Sequence, residues 1–196
     1  VNDAQKLAIA GRVIDRDWAA LRSADRAILE SIRAEGRGVT DRPLGIYADE
    51  LPRSAGYVSF PGPELRRQDA AAGLWIPELR LVLLNVAHPG FRDLDQRSLE
   101  WALARVAWHE WGHALACHRA TEEDIRSGPR LLNLAPAAIA ENVRSADYGQ
   151  REYTHEIVAE AYALLISRRR LGATDRPPWL NQEIYELVRR VVGWNR

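Results

Sequence analysis

From Ser98 to Ala120 the chain carries no proline and a single glycine, and its apolar positions recur at helical spacing. At 100° per residue, Ala102, Val106, His109 and His113 form one stripe, Leu99, Leu103, Glu110 and Cys117 the next, and Trp101, Trp108 and Leu115 the back. A helix that is apolar nearly all round belongs in an interior. Asp93-Leu94-Asp95-Gln96 offers an acidic N-cap, with Gln96 three residues after Asp93. Glycine costs about 1 kcal/mol relative to alanine inside a helix. Gly112 therefore predicts a close approach of another backbone.

The remaining pattern is helix, then strands, then helices. Residues 17 to 35 alternate apolar and charged positions through Trp18, Leu21, Ile28, Leu29 and Ile32, and stop before Gly36-Arg37-Gly38. Leu44 to Ala48 and Gly56 to Phe60 read as short strands divided by a loop at Pro52, and Leu79 to Val86 is the strongest strand. Ser127 to Gln150, punctuated by proline and glycine, reads as a segment covering a cleft. A second long helix starts near Tyr153, with Thr154 as N-cap, Gly172 as terminator and Arg168, Arg169 and Arg170 where a helix C-terminus favours positive charge. Glu156, Glu160, Ala163 and Ser167 share one of its stripes, and the small members predict close packing on the first helix. A last helix runs from about Asn181 to Val192 after Pro177-Pro178 and stops at Gly193. The expected architecture is α+β: a small sheet packed on a central helix, with a helical C-terminal part, in one domain over 1–196 divided at about residue 120.

Composition narrows the function classes. With 27 basic and 27 acidic residues the formal charge is zero, so no global field draws the chain to nucleic acid or an anionic membrane. The single cysteine excludes an internal disulfide framework. No apolar run approaches the roughly 20 residues of a transmembrane helix, and no signal peptide is legible at the N-terminus. A cytoplasmic address is therefore expected, although a chain that opens on Val1 and lacks methionine also reads as a piece trimmed from a longer or exported product. Of the seven tryptophans, Trp101, Trp108 and Trp111 read as core and groove wall, because no basic groove surrounds them for base stacking.

The chemistry lies in His109-Glu110-Trp111-Gly112-His113, an H-E-x-x-H pattern. On a helix, histidines four apart share a face and can hold one divalent ion. Zinc suits them because it accepts imidazole nitrogen in tetrahedral geometry and lowers the pKa of a bound water to about 7, leaving Glu110 to take the proton. His118 lies roughly 160° around the helix from the pair and is expected at the surface.

The motif resembles that of the zincin metallopeptidases. The metzincin branch would need glycine and histidine where this chain has Ala116 and Arg119, and a methionine turn that a methionine-free chain lacks. The peptide-deformylase pattern needs a cysteine before the motif, whereas Cys117 follows it. What remains resembles the gluzincins, in which a glutamate from a second helix completes the site. Glu156-x-x-Ala159-x-x-Tyr162-Ala163 is similar to that helix in the minimal ImmA/IrrE group of proteases, although 42 residues (114 to 155) separate His113 from Glu156, a longer insert than a minimal member needs.

The resemblance implies that His109, His113 and Glu156 bind one zinc ion, that Glu160 orients a ligating histidine from behind, and that Glu110 is the general base of a zinc-dependent endopeptidase. It also implies a protein or peptide substrate held as an added strand, with Leu79 to Val86 or Gly56 to Phe60 as the template. Tyr148, Tyr153 and His155 are the candidate donors to a developing oxyanion. Two other readings stay open. One is a non-catalytic zinc-binding regulatory or interaction domain; the other is a toxin-like effector protease domain.

Overall fold

A computed structural model describes residues 3–21, 23, 26, 27, 29, 72–76, 81–84, 86, 88–145, 149, 152–173 and 175–194. Its elements are α1 (Asp3–Ala20), β1 (Gly73–Ile76), β2 (Leu81–Leu84), a single 3-10 turn (Pro89–Phe91), α2 (Gln96–Arg119), α3 (Glu122–Leu134), α4 (Ala137–Ser145), α5 (Glu152–Arg170) and α6 (Gln182–Val191). The described residues are thus largely helical, which corrects the α+β expectation. Their strands are one antiparallel pair of four residues each, with Gly73 opposite Leu84 and Ile76 opposite Leu81. The strand expected over 79–86 is confined to Leu81–Leu84, and its partner Gly73–Ile76 was not anticipated. The strand candidates 44–48 and 56–60 lie outside the described residues.

The chain divides into two compact units, Val1–Arg22 with Glu30–Ala107, and Ser23–Leu29 with Trp108–Arg196. In the first, α1 buries Ile9, Ala10, Val13 and Ile14, a stripe at intervals of one and three to four residues. This helix begins well before the one expected from residue 17. Of that expected helix, residues 17–20 form the end of α1, Ser23, Arg26, Ala27 and Leu29 are helical, and 22, 24, 25, 28 and 30–35 lie outside the described residues. No described helix is long and apolar enough to cross a membrane.

The cap of α2 is two residues later than expected. Asp95, not Asp93, accepts a 2.7 Å hydrogen bond from the Ser98 backbone N–H. That bond holds the Asp95 carboxyl below its ordinary range. Gln96 instead bonds Glu100 along the helix surface at 3.1 Å.

The second unit is built from helices, including two over the stretch 127–150 that the sequence suggests is a loop. α3 starts in a reciprocal capping box, Thr121 accepting from Asp124 N–H and Asp124 from the Thr121 N–H. Pro129 lies inside α3 and cannot donate to the carbonyl of Ile125 four residues back. Thr154 of α5 approaches that place. Its hydroxyl donates to Asp124 O at 2.8 Å and lies 3.3 Å from Ile125 O. Thr154 is therefore buried inside α5, which begins at Glu152, and does not cap it. Gly128 completes this crossing: a Cβ there would stand 2.8 Å from Thr154 Oγ1.

Both C-terminal glycine stops are present. Gly172 (φ 85°) and Gly193 (φ 71°) adopt the left-handed conformation, with Ala173 N–H bonded to Arg168 O at 2.9 Å and Trp194 N–H to Arg189 O at 2.7 Å. These are the six-to-one bonds that end a helix at glycine. Trp194 then lies under the Arg169 guanidinium, 3.6 Å from ring centroid to Cζ, and beside buried Tyr162.

Candidate metal centre

Two helices of the second unit meet backbone to backbone at Gly112. A Cβ on this residue would stand 2.6 Å from Ala159 Cα and 3.2 Å from Ala159 O. The close approach expected of Gly112 is thus supplied by α5, through Ala159 rather than Ala163 or Ser167. Along α2 the contact falls between His109 and His113, and along α5 between Glu156 and Glu160. The crossing point is therefore flanked by the polar groups of both helices.

His109 and His113 are half-buried, their Nε2 atoms 2.9 Å apart. Glu156, buried on α5, sets Oε1 3.1 Å from His113 Nε2 and Oε2 3.6 Å from His109 Nε2. One ligand atom from each of these three residues lies within 4.8 Å of the others. The group can hold a metal ion. Two nitrogens and a carboxylate at such spacings suit a divalent ion in tetrahedral surroundings, whose donors, at 2.0–2.1 Å from it, stand about 3.3 Å apart. The spacing also has a cost that an ion would relieve. Two Nε2 atoms at 2.9 Å can share at most one proton favourably, and a buried carboxylate beside them needs a cationic or donor partner.

Behind the pair, Glu160 Oε1 faces His109 Nδ1 at 3.5 Å and accepts a hydrogen bond from Asn142 Nδ2 of α4 at 3.2 Å. A carboxylate on Nδ1 favours the tautomer with its proton there, which turns the Nε2 lone pair toward His113 and Glu156. Asn142 was not anticipated from the sequence, because its segment read as loop and one asparagine in a loop carries no signal.

The electrostatics follow the same geometry. Burial works to lower the His113 pKa, but the hydrogen bond and charge of Glu156, with the charges of Glu110 and Glu160, raise it above the ordinary histidine value. Glu110 is itself buried, and its effect on His113 places its carboxylate within electrostatic reach of the site. His155 is shifted the other way, first by burial and then by the charge of His113. A lowered pKa leaves it a neutral ring with one N–H to donate at neutral pH.

His109, His113 and Glu156 come together, with Glu160 behind His109 and Glu110 buried nearby. Of the three candidate oxyanion donors, His155 is coupled electrostatically to His113. Tyr153 is half-buried and its Cβ faces Gly128 of α3, and Tyr148 lies outside the described residues. His118 is exposed, as its position around the helix requires. Trp108 and Trp111 are buried, whereas Trp101 is 39% exposed and belongs to no core. No family model, no curated protein and no solved structure matches the chain.

Proposed function

We propose that this chain is a zinc-dependent peptidase in which His109, His113 and Glu156 hold the ion and Glu110 is the general base. The observation that carries the reading is the convergence of three donors, from two helices, beside a buried glutamate one residue from the first histidine. Among the described residues the group offers three protein donors, which leave a position for water or substrate, whereas a purely structural zinc site takes a fourth from the protein. Among divalent ions, two imidazoles and one carboxylate favour zinc over the hard, oxygen-preferring magnesium and calcium. When bound, zinc supplies Lewis acidity toward a carbonyl and toward a water.

The residues of the chain do the rest. Glu110 receives a proton from the attacking water at a carboxylate oxygen and returns it to the departing amine. Burial of Glu110 limits the waters that would compete for its carboxylate. Glu160 holds His109 in the ligating tautomer, and His155 is the candidate donor to the oxyanion.

The test is metal content together with cleavage of a diverse peptide library, with and without Glu110→Gln. Glutamine keeps the shape of the side chain and cannot accept the proton. The expected outcome is stoichiometric zinc in both proteins and a rate about 100- to 10,000-fold lower in the variant. Bound zinc without cleavage of any peptide by the unaltered protein would replace this reading with a non-catalytic zinc-binding regulator.

A further inference from the structure

We infer that Asn142 is a positioning residue for the metal centre, acting through Glu160 on His109. The inference rests on the metal-binding part of the proposed function and not on its hydrolytic part.

One oxygen, Glu160 Oε1, meets both donors: Asn142 Nδ2 at 3.2 Å and His109 Nδ1 at 3.5 Å. The three residues come from three helices, α4, α5 and α2, all within the second unit at these positions. A glutamate has three side-chain torsions, so an imidazole at 3.5 Å is by itself a loose constraint on where the carboxylate oxygen sits. The amide of Asn142 supplies a second and shorter bond. It fixes the oxygen that faces Nδ1. An acceptor fixed at Nδ1 holds the proton there and frees Nε2 for the ion. α4 is short, ending at Ser145, and its side chain at 142 is exposed. An exposed asparagine of this kind contributes little to the fold, so its effect on the metal can be read without a large change in stability.

The experiment is a zinc titration against a competing chelator for Asn142→Ala, Asn142→Asp and Glu160→Ala, and for Asn142→Ala combined with Glu160→Ala. Removing a partner directly behind a ligating histidine typically weakens metal affinity by about 10- to 100-fold. One bond further out, Asn142→Ala is expected to weaken it by about 3- to 10-fold. Asn142→Asp, equal in shape but an acceptor beside a second carboxylate, is expected to weaken it at least as much. In the Glu160→Ala background the effect of Asn142→Ala is expected to vanish, since the proposed link from the amide to His109 runs through the Glu160 carboxylate. A structural role for α4 would instead lower the melting temperature of the metal-free protein and persist in that background. Wild-type zinc affinity in both Asn142 variants, or an undiminished effect of Asn142→Ala in the double variant, overturns the inference. Zinc binding with this pattern but no peptide cleavage leaves it standing while the peptidase reading fails; absence of zinc binding by the unaltered protein removes both.

Discussion

At His113 a proton would compete with a bound metal ion. Its folded-state pKa is raised, through Glu156 first among the raising influences and then Glu110 and Glu160, against the lowering effect of burial. In the metal-free protein a raised pKa stabilises the fold below the unfolded histidine value of about 6.5, and that contribution is lost as pH rises through the folded value. Zinc needs the neutral ring, so the sign for the metal is opposite: affinity falls as pH drops through the raised pKa, by up to about tenfold per unit for each proton displaced. Chelator competition between pH 5.5 and 8.5 should show this fall beginning above the ordinary histidine range. A flat profile would mean that the ring takes no part in binding. The two glutamates of α5 separate on the same assay. Glu156→Ala removes one of three donors and should lose most bound zinc, whereas Glu160→Ala removes a partner of His109 and should weaken zinc by about 10- to 100-fold. An inverted order, with Glu160→Ala metal-free and Glu156→Ala nearly normal, would exchange their roles.

At the scale of elements, the spacing of the site is set by how closely α2 and α5 approach at Gly112 and Ala159. Because a Cβ at 112 would overlap backbone rather than the end of a flexible side chain, Gly112→Ala must push the helices apart near all three donors. The gain in helix propensity, about 1 kcal/mol, is expected to be outweighed by overpacking, which typically costs about 1–3 kcal/mol. Lower thermal stability and weaker zinc binding should therefore appear together; a variant with unchanged zinc affinity would show that the crossing does not set the ligand spacing. This contact was legible in the sequence, because a glycine between two histidines of an otherwise uninterrupted helix has few other physical reasons. So were the helix stops at Gly172 and Gly193, where a left-handed residue follows a basic last turn. α3 was not legible. Gly128 and Pro129 signal a break, and what overrides them is tertiary: the Thr154 hydroxyl reaching the carbonyls of Asp124 and Ile125 from another helix. The small sheet failed for a related reason, since apolar runs of four to eight residues do not say how many strands will pair with them. α1 was missed over residues 3–16 because Lys6 and Asp17, both buried, interrupt its apolar stripe at either end.

For the molecule as a whole, the donors of the candidate centre all belong to one of the two compact units. A ligand that binds the folded state alone stabilises it by an amount fixed by concentration and affinity, about 2.7 kcal/mol at a hundredfold excess over Kd. Local opening reactions need not share that gain equally, because each opening loses the ligand only if it separates the donors. Openings that detach α5 from the His109–His113 turn of α2 must release the ion, whereas fraying of α1 or of the β1–β2 pair need not. Hydrogen exchange with and without zinc should therefore show the largest added protection in the backbone amides of residues 108–119 and in α5, and smaller changes in α1 and β1–β2. Uniform protection across both units would mean that the two unfold as one cooperative body. Added protection confined to α1 or the strand pair would place the ion away from His109, His113 and Glu156 and remove the basis of the proposed chemistry.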